Sequence, residues 1–144
     1  MKTIITYGTF DLFHVGHLRL LERLKSLGDR LIVGVSTDEF NALKNKKSVV
    51  NFADRCEIVR AIHCVDTVIP EDTWEQKTAD IVRLGVNVFG MGDDWMGHFD
   101  HLKSLCEVVY FPRTLGVSST QLKQAIAKVQ PELSSSSVSP LFIN

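Results

Sequence analysis

The chain has 144 residues, 44% of them hydrophobic and 23% charged, which fits one compact globular domain and argues against a second. Its 16 lysines and arginines against 17 aspartates and glutamates leave a formal charge of -1, which argues against the broad basic field that gathers DNA or RNA. Three cysteines without a CxxC pair argue against a disulfide scaffold or a zinc site, and no apolar run approaches the roughly 18 residues that span a membrane. We therefore expect a cytoplasmic protein without nucleic-acid or membrane partners.

The elements predicted along the chain alternate between strand and helix. A β-branched run over residues 2–7 predicts the first strand, and leucines at helical spacing predict a first helix over residues 17–27, closed by Gly28. Further strands are predicted in RLIVGVST, VDTVIP, VNVFGM and CEVVYFP, and further helices in FADRCEIVRAIHC, EQKTADIVRLGV and SSTQLKQAIAKV. The alternation predicts a single Rossmann-like α/β domain, a doubly wound parallel sheet of five strands with helices on both faces. We assign it residues 1–130, and residues 131–144 to a flexible serine-rich tail, because Pro131 should end the last helix.

The segment GTFDLFHVGH, residues 8–17, follows the first predicted strand. In an open parallel sheet, ligands bind beyond the carboxyl ends of the strands. His14 and His17 flank the start of the first helix, where free N–H groups and the helix dipole favour a phosphate, and Gly16 leaves room for it. Both imidazoles can then donate hydrogen bonds to one polyphosphate. On spacing alone, a helix cap or a surface feature is the other interpretation.

Two more segments at the same sheet edge are suited to anions. ALKNKK places Lys44, Lys46 and Lys47 after the second strand, and PRTLGVSST places Arg113 and several hydroxyl groups before the last helix. Each has an ordinary structural interpretation, as a solvated loop and as a helix N-cap. Three anion-binding segments at one edge together predict a polyphosphate site.

Two of these segments resemble known signatures. GTFDLFHVGH resembles the HxGH motif of the nucleotidyltransferases, and RTLGVSST resembles the RTxGIS[ST]T motif of their cytidylyltransferase branch. With STDEFN, VDTVIPEDTWEQK and GDDWMGHFD, residues 1–129 are similar to the glycerol-3-phosphate cytidylyltransferases. The resemblance implies a homodimeric enzyme that makes CDP-glycerol and pyrophosphate from CTP and sn-glycerol 3-phosphate, a supply step for cell-wall or surface polymers such as teichoic acid.

The resemblance also implies roles for individual residues. His14, His17, Lys46 and Arg113 would be catalytic, and Lys44, Lys77 and Arg55 would face the glycerol phosphate. The residues implied to bind CTP are Thr9, Phe10, Asp11, His14, Val15, Gly16, His17, Lys46, Asp94, Arg113, Thr114, Leu115, Gly116, Val117, Ser118, Ser119 and Thr120.

The chemistry of the substrates suggests how such a reaction would run. Because the acceptor phosphate is already ionised at neutral pH, we expect a direct in-line displacement at the α-phosphorus without a general base. Mg²⁺ would be carried mainly by the CTP phosphates, so we expect no dedicated metal site on the protein. His98 and His101 beside Asp93 and Asp94 are a weaker alternative as a metal site.

Several alternatives stay open at this point. A sister transferase would use ethanolamine phosphate, choline phosphate, glycerol 2-phosphate, or FMN with ATP; choline would favour an aromatic cage, and none is evident in the sequence. The HxGH motif also occurs in class I aminoacyl-tRNA synthetases, for which the chain is too short, and a nucleotide sensor with a relic site would bind CTP without turnover. His63 and Cys64 stand where the family commonly has an arginine, which puts subunit coupling and acceptor affinity in question. Trp74 and Trp95 are expected to pack in the core or at a subunit contact.

Overall fold

A parallel five-stranded sheet lies at the centre of the fold. The computed structural model describes residues 1–114 and 118–135. The strands are β1 (Thr3–Gly8), β2 (Arg30–Ser36), β3 (Thr67–Glu71), β4 (Val88–Gly92) and β5 (Glu107–Phe111). They lie in the order β3-β2-β1-β4-β5, and all four pairings are parallel. The chain therefore winds outward in both directions from β1, as predicted, and the border between β1 and β4 is the switch point at which ligands bind in such sheets.

The helices are α1 (Val15–Lys25), α2 (Asp38–Leu43), α3 (Phe52–Ala61), α4 (Gln76–Leu84) and α5 (Ser119–Ser135), with short 3-10 helices at Asp93–Trp95 and Asp100–Ser104. Helix α1 begins two residues before the prediction because the side chain of His14 caps it. It ends earlier as well, since the N–H groups of Leu27 and Gly28 bond to carbonyls three residues back, in a tighter turn.

Two helix predictions need correction. Helix α2 was not predicted because it is too short for a periodic pattern; Thr37 caps it by accepting the N–H of Phe40 at 3.1 Å. Helix α5 does not end at Pro131 but continues to Ser135. The fixed φ of proline is compatible with a helix, and near a C-terminal end it removes only one ladder bond. From residue 136 onward the predicted tail lies outside the described residues.

The core occupies both faces of the sheet. Ile4 of β1 packs with Leu21 and Leu24 of α1 on one face, whereas Ile5 and Tyr7 pack with the other cluster. This alternation is what a parallel strand covered on both sides requires. In the described part of the chain, no helix has the length and apolarity needed to cross a membrane.

Candidate active site

Two adjoining cavities open at the carboxyl edge of the sheet. The first, of about 260 Å³, lies between the start of α1, the ends of β4 and β5, and the start of α5. The second, of about 340 Å³, lies between β1, β2, β3 and the loop after α2, residues 44–51, which we call the lysine loop. The two cavities share part of their walls, including Thr9, Phe10 and His17. We call the first the nucleotide cavity, after the CTP residues predicted there, and the second the lysine cavity.

Most of the predicted CTP residues lie on these walls. Those lining the nucleotide cavity are Thr9, Phe10, His14, Gly16, His17, Asp94, Arg113, Thr114, Ser118, Ser119 and Thr120. Asp11 and Lys46 line the lysine cavity together with Lys44 and Lys77. The starts of α1 and α5 therefore meet over one space. Leu115, Gly116 and Val117 lie outside the described residues.

The two imidazoles are held by the backbone at the start of α1. His14 Nδ1 accepts the N–H of Gly16 at 3.0 Å, and His17 Nδ1 accepts the N–H of His14 at 3.1 Å. The rings stack with their centroids 3.8 Å apart. Because each Nδ1 is an acceptor, each neutral ring carries its hydrogen on Nε2, on the side away from the backbone. The pair is thus both a helix cap and a pair of N–H donors.

The surroundings of both imidazoles lower their pKa, which favours the neutral rings. Burial, and then the charge of Arg113, lower the pKa of His14. Burial, and then the neighbouring His14, lower the pKa of His17 to about 4. Neutral Nε2–H groups can donate to a phosphate without first taking up a proton, which suits stabilisation of charge that develops during a reaction.

The loop before α1 is packed to hold His17. Phe10 and Leu12 have positive φ angles of 55 and 49°, a conformation that costs energy for residues with a side chain. The Phe10 ring meets the His17 ring edge-on at 5.4 Å, and Phe13 lies 5.2 Å from it. The strained turn therefore places aromatic rings around the imidazole.

Asp11 ties three segments of the site together. Its carboxylate accepts the N–H groups of Val49 and Val50 at 2.8 and 2.9 Å and pairs with Lys123 of α5 at 2.9 Å. Its carbonyl accepts the hydroxyl of Ser119 at 2.6 Å. Burial acts to raise the pKa of Asp11, but these hydrogen bonds bring it below the usual value. Asp11 therefore supports the walls more than it offers a free carboxylate to a ligand.

Arg113 reaches the nucleotide cavity from the end of β5. Its Nε lies 3.1 Å from Asp94 Oδ1, and both side chains are about half exposed, at 59% and 46%. Arg23 lines the same cavity and was not predicted. The sequence could have indicated Arg23, because Gly16, Leu20 and Arg23 share one face of α1 at helical spacing. All three line the cavity.

The lysine cavity contains two ammonium groups among aromatic rings. Lys77, only 3% exposed, forms an ion pair with Glu71 and lies over the rings of Tyr7, Trp74 and Phe99 at 4.8, 4.7 and 5.5 Å. Lys44 lies over the rings of Phe40 and Trp74 at 4.3 and 5.4 Å. Burial lowers the pKa of Lys44 to about 8.

Some predicted residues lie elsewhere. Arg55 is 1% exposed and lines neither cavity; it donates to the carbonyls of Thr9, Ser36 and Val50 and pairs with Asp38. Its guanidinium thus joins the ends of β1 and β2 to the lysine loop instead of facing an acceptor. Val15 is exposed at the start of α1 and lines neither cavity.

The two tryptophans border the lysine cavity. Trp95 packs against the core cluster, as expected, whereas Trp74 is 42% exposed and lies outside the core, so the subunit contact stays a prediction for it. The two rings lie 5.7 Å apart. An aromatic cage that was not evident in the sequence therefore surrounds the two ammonium groups. It is formed by residues from four different segments, namely Tyr7, Phe40, Trp74 and Phe99.

Comparison with known proteins gives consistent matches. The model of the family described as cytidylyltransferase-like matches residues 5–139. A glycerol-3-phosphate cytidylyltransferase of Bacillus spizizenii is 57% identical over 129 residues, 90% of this chain and 100% of that protein. One of Bacillus subtilis is 58% identical over 127 residues, 88% of this chain and 98% of that protein. A lipopolysaccharide core biosynthesis protein from Thermoplasma volcanium, 21% identical, has the same fold with a TM-score of 0.72, covering 79% of this chain and 98% of that one.

Proposed function

The chain belongs to the cytidylyltransferase-like family, and on that basis we propose that it transfers the cytidylyl group of CTP to sn-glycerol 3-phosphate. The products are CDP-glycerol and pyrophosphate. The observation that carries the proposal is the shared wall of the two cavities: one is lined by donors suited to a triphosphate, the other by lysines suited to a phosphorylated acceptor. The similarity along the full length of glycerol-3-phosphate cytidylyltransferases supports this acceptor.

The shared wall suggests where the reaction takes place. With the triphosphate in the nucleotide cavity and the acceptor phosphate beside Lys44 and Lys77, the α-phosphorus lies where His17 borders both spaces. An oxygen of the acceptor phosphate forms a bond to the α-phosphorus, and the bond to the bridging oxygen of the pyrophosphate breaks. No proton has to move, because the attacking oxygen is ionised at pH 7.

The residues of the site act on charge and position. The Nε2–H groups of His14 and His17 donate to the oxygens of the α-phosphate, on which charge changes during the displacement. Arg113 holds the departing pyrophosphate from the wall of the nucleotide cavity, whereas Lys46 lines the lysine cavity and adds positive charge on the acceptor side. Removing one such donor commonly lowers kcat by about 10²–10³.

We propose that Mg²⁺ enters this site together with CTP. Within residues 1–114 and 118–135, no three His, Cys, Asp or Glu side chains lie close enough together to hold an ion. Asp94, the exposed carboxylate on the nucleotide cavity, is paired with Arg113. This donor set fits an ion held mainly by phosphate oxygens, which supplies positive charge to the triphosphate.

The aromatic cage argues against choline phosphate as the acceptor. A quaternary ammonium group binds over aromatic faces. Here Lys77 lies over Tyr7, Trp74 and Phe99, so the protein's own ammonium group occupies those faces. A second cation in the same place would be repelled, whereas an anionic phosphate would be attracted.

A pyrophosphate-release screen tests this function. It crosses the four nucleoside triphosphates with sn-glycerol 3-phosphate, glycerol 2-phosphate, ethanolamine phosphate, choline phosphate and FMN. We expect turnover with CTP and sn-glycerol 3-phosphate. Release from ATP with FMN would identify a sister activity, and CTP binding without pyrophosphate release for any acceptor would identify a sensor.

We further propose a homodimer in the cytoplasm, on the family resemblance, whose product supplies glycerol-phosphate polymers of the cell wall. The thiols of Cys56, Cys64 and Cys106 are free, and the first two are buried, which suits a reducing compartment. Sedimentation equilibrium tests the assembly, because a dimer has twice the chain mass of 16.2 kDa.

A further inference from the structure

A buried carboxylate lies in the cavity that should receive an anion. Glu71, the last residue of β3, is 3% exposed and lines the lysine cavity with Lys44 and Lys77. A negative charge at this place repels a phosphate. A carboxylate in this position must therefore have a role that outweighs its repulsion of the phosphate.

Hydrogen bonds connect each carboxylate oxygen of Glu71 to a different lysine. Oε2 accepts directly from Lys77 Nζ. Oε1 accepts the hydroxyl of Ser36 at 2.6 Å, and the Ser36 oxygen in turn accepts from Lys44 Nζ at 3.5 Å. Ser36 and Glu71 are partners in the β2–β3 register, so the sheet itself brings the two ends together.

The surroundings of Lys77 explain why a counter-charge is needed. Its ammonium group lies among the faces of Tyr7, Trp74 and Phe99, which offer no hydrogen-bond acceptor of comparable strength. A buried charge is costly unless it is paired and hydrogen-bonded. Glu71 supplies that pairing and fixes the direction of the remaining N–H bonds.

We propose that Glu71 is a positioning residue of the acceptor subsite, which holds Lys77 directly and Lys44 through Ser36 as oriented cations for the acceptor phosphate. The inference rests on the proposed function. Glu71 lines the lysine cavity and not the nucleotide cavity, so its removal should act on the acceptor and leave the nucleotide unaffected.

The titration of Lys44 gives this role a signature that a purely structural role lacks. Burial lowers the pKa of Lys44, Glu71 raises it, and the charges of Lys46, Lys77 and Arg55 lower it. As the pH rises, Lys44 loses its charge and the acceptor loses a binding partner. Without the Glu71 charge, this loss should occur at lower pH.

The test compares E71Q with the wild type and with D66N. Asp66 also carries an ion pair, to Lys25, but lines neither cavity. We expect E71Q to raise the KM for sn-glycerol 3-phosphate about tenfold or more and to change the KM for CTP less than about twofold. The alkaline fall of kcat/KM for the acceptor should move to lower pH in E71Q, and not in D66N or in the charge-preserving E71D.

A binding measurement makes the test independent of turnover. The chain has two tryptophans, and both line the lysine cavity, so intrinsic fluorescence reports on this cavity. Titration with sn-glycerol 3-phosphate should give weaker binding for E71Q than for the wild type. If E71Q does not fold, S36A breaks only the link to Lys44, and it should shift the alkaline fall without changing the KM for CTP.

The outcomes separate this inference from the proposed function. An inactive wild type in the pyrophosphate screen overturns the function, and the fluorescence titration then decides the inference alone. Wild-type turnover with unchanged acceptor KM, unchanged affinity and an unmoved alkaline fall in E71Q overturns the inference. So does an equal rise of both KM values, since that indicates a general structural role.

Discussion

The carboxylate of Asp11 lies 2.9 Å from the ammonium group of Lys123, which joins the loop after β1 to helix α5. The two partners differ in burial, because the Asp11 side chain is 3% exposed and that of Lys123 is 37% exposed. Asp11 also satisfies two backbone N–H groups, of Val49 and Val50. Asp11 therefore supports two backbone N–H groups in addition to the ion pair, whereas Lys123 contributes the ion pair.

Removing Asp11 should cost more stability than removing Lys123. Asp11→Ala leaves two N–H groups without their acceptor, and we expect it to lower the free energy of unfolding by about 1–3 kcal/mol. Lys123→Met removes one partly exposed ion pair and should cost less than about 1 kcal/mol. Urea unfolding of both variants measures the difference; equal losses would contradict the role given to Asp11.

The proposed catalytic function of His14 should be separable from its function as a helix cap. His14→Asn keeps an N-cap side chain, whereas His14→Ala removes it, and both lack the Nε2–H donor. We expect both to lower kcat by about 10²–10³, and only His14→Ala to lose about 1 kcal/mol of stability. Steady-state kinetics and thermal melts of the pair check this. Activity of either variant within about threefold of wild type would refute the catalytic role.

His17 should make stability depend on pH. Its folded-state pKa is lowered to about 4, whereas an unfolded histidine has a pKa of about 6.5. Between these values the unfolded chain binds a proton that the folded chain does not. The contribution is thus fully present above about pH 6.5 and is lost as the pH falls toward 4. His17→Asn should flatten this part of the stability curve, measured by urea midpoints; an unchanged slope between about pH 4 and 6.5 would contradict the role given to its burial.

Glycines on β4 offer a matched pair for packing. A Cβ on Gly90 would lie 2.1 Å from Leu24 Cδ2 of α1, whereas one on Gly92 would meet nothing within 4 Å. Gly90→Ala should therefore cost about 1–3 kcal/mol by overpacking. Gly92, at φ -67°, should tolerate alanine without loss of stability. Denaturant midpoints that shift equally in both would show that α1 does not pack this closely on β4.

Local sequence patterns predicted the fold better than the site. The strands and most helices follow from apolar runs, and His14 and His17 follow from their place after β1. The lysine cavity could not be predicted in the same way, because Ser36, Glu71, Trp74 and Lys77 meet only through the β2–β3 register and the approach of α4. Arg55 shows the opposite failure: the resemblance implied that it faces the acceptor, but it makes four hydrogen bonds within the chain itself and lines neither cavity.

The cap at the start of α1 also bears on inhibition by heavy metals. Two histidines one helical turn apart ordinarily chelate Zn²⁺ or Cu²⁺ through unprotonated ring nitrogens. Here each Nδ1 lone pair is directed at a backbone N–H, and each Nε2 keeps its hydrogen. Chelation would require a tautomer change that breaks the cap, so we expect this pair to bind Zn²⁺ poorly.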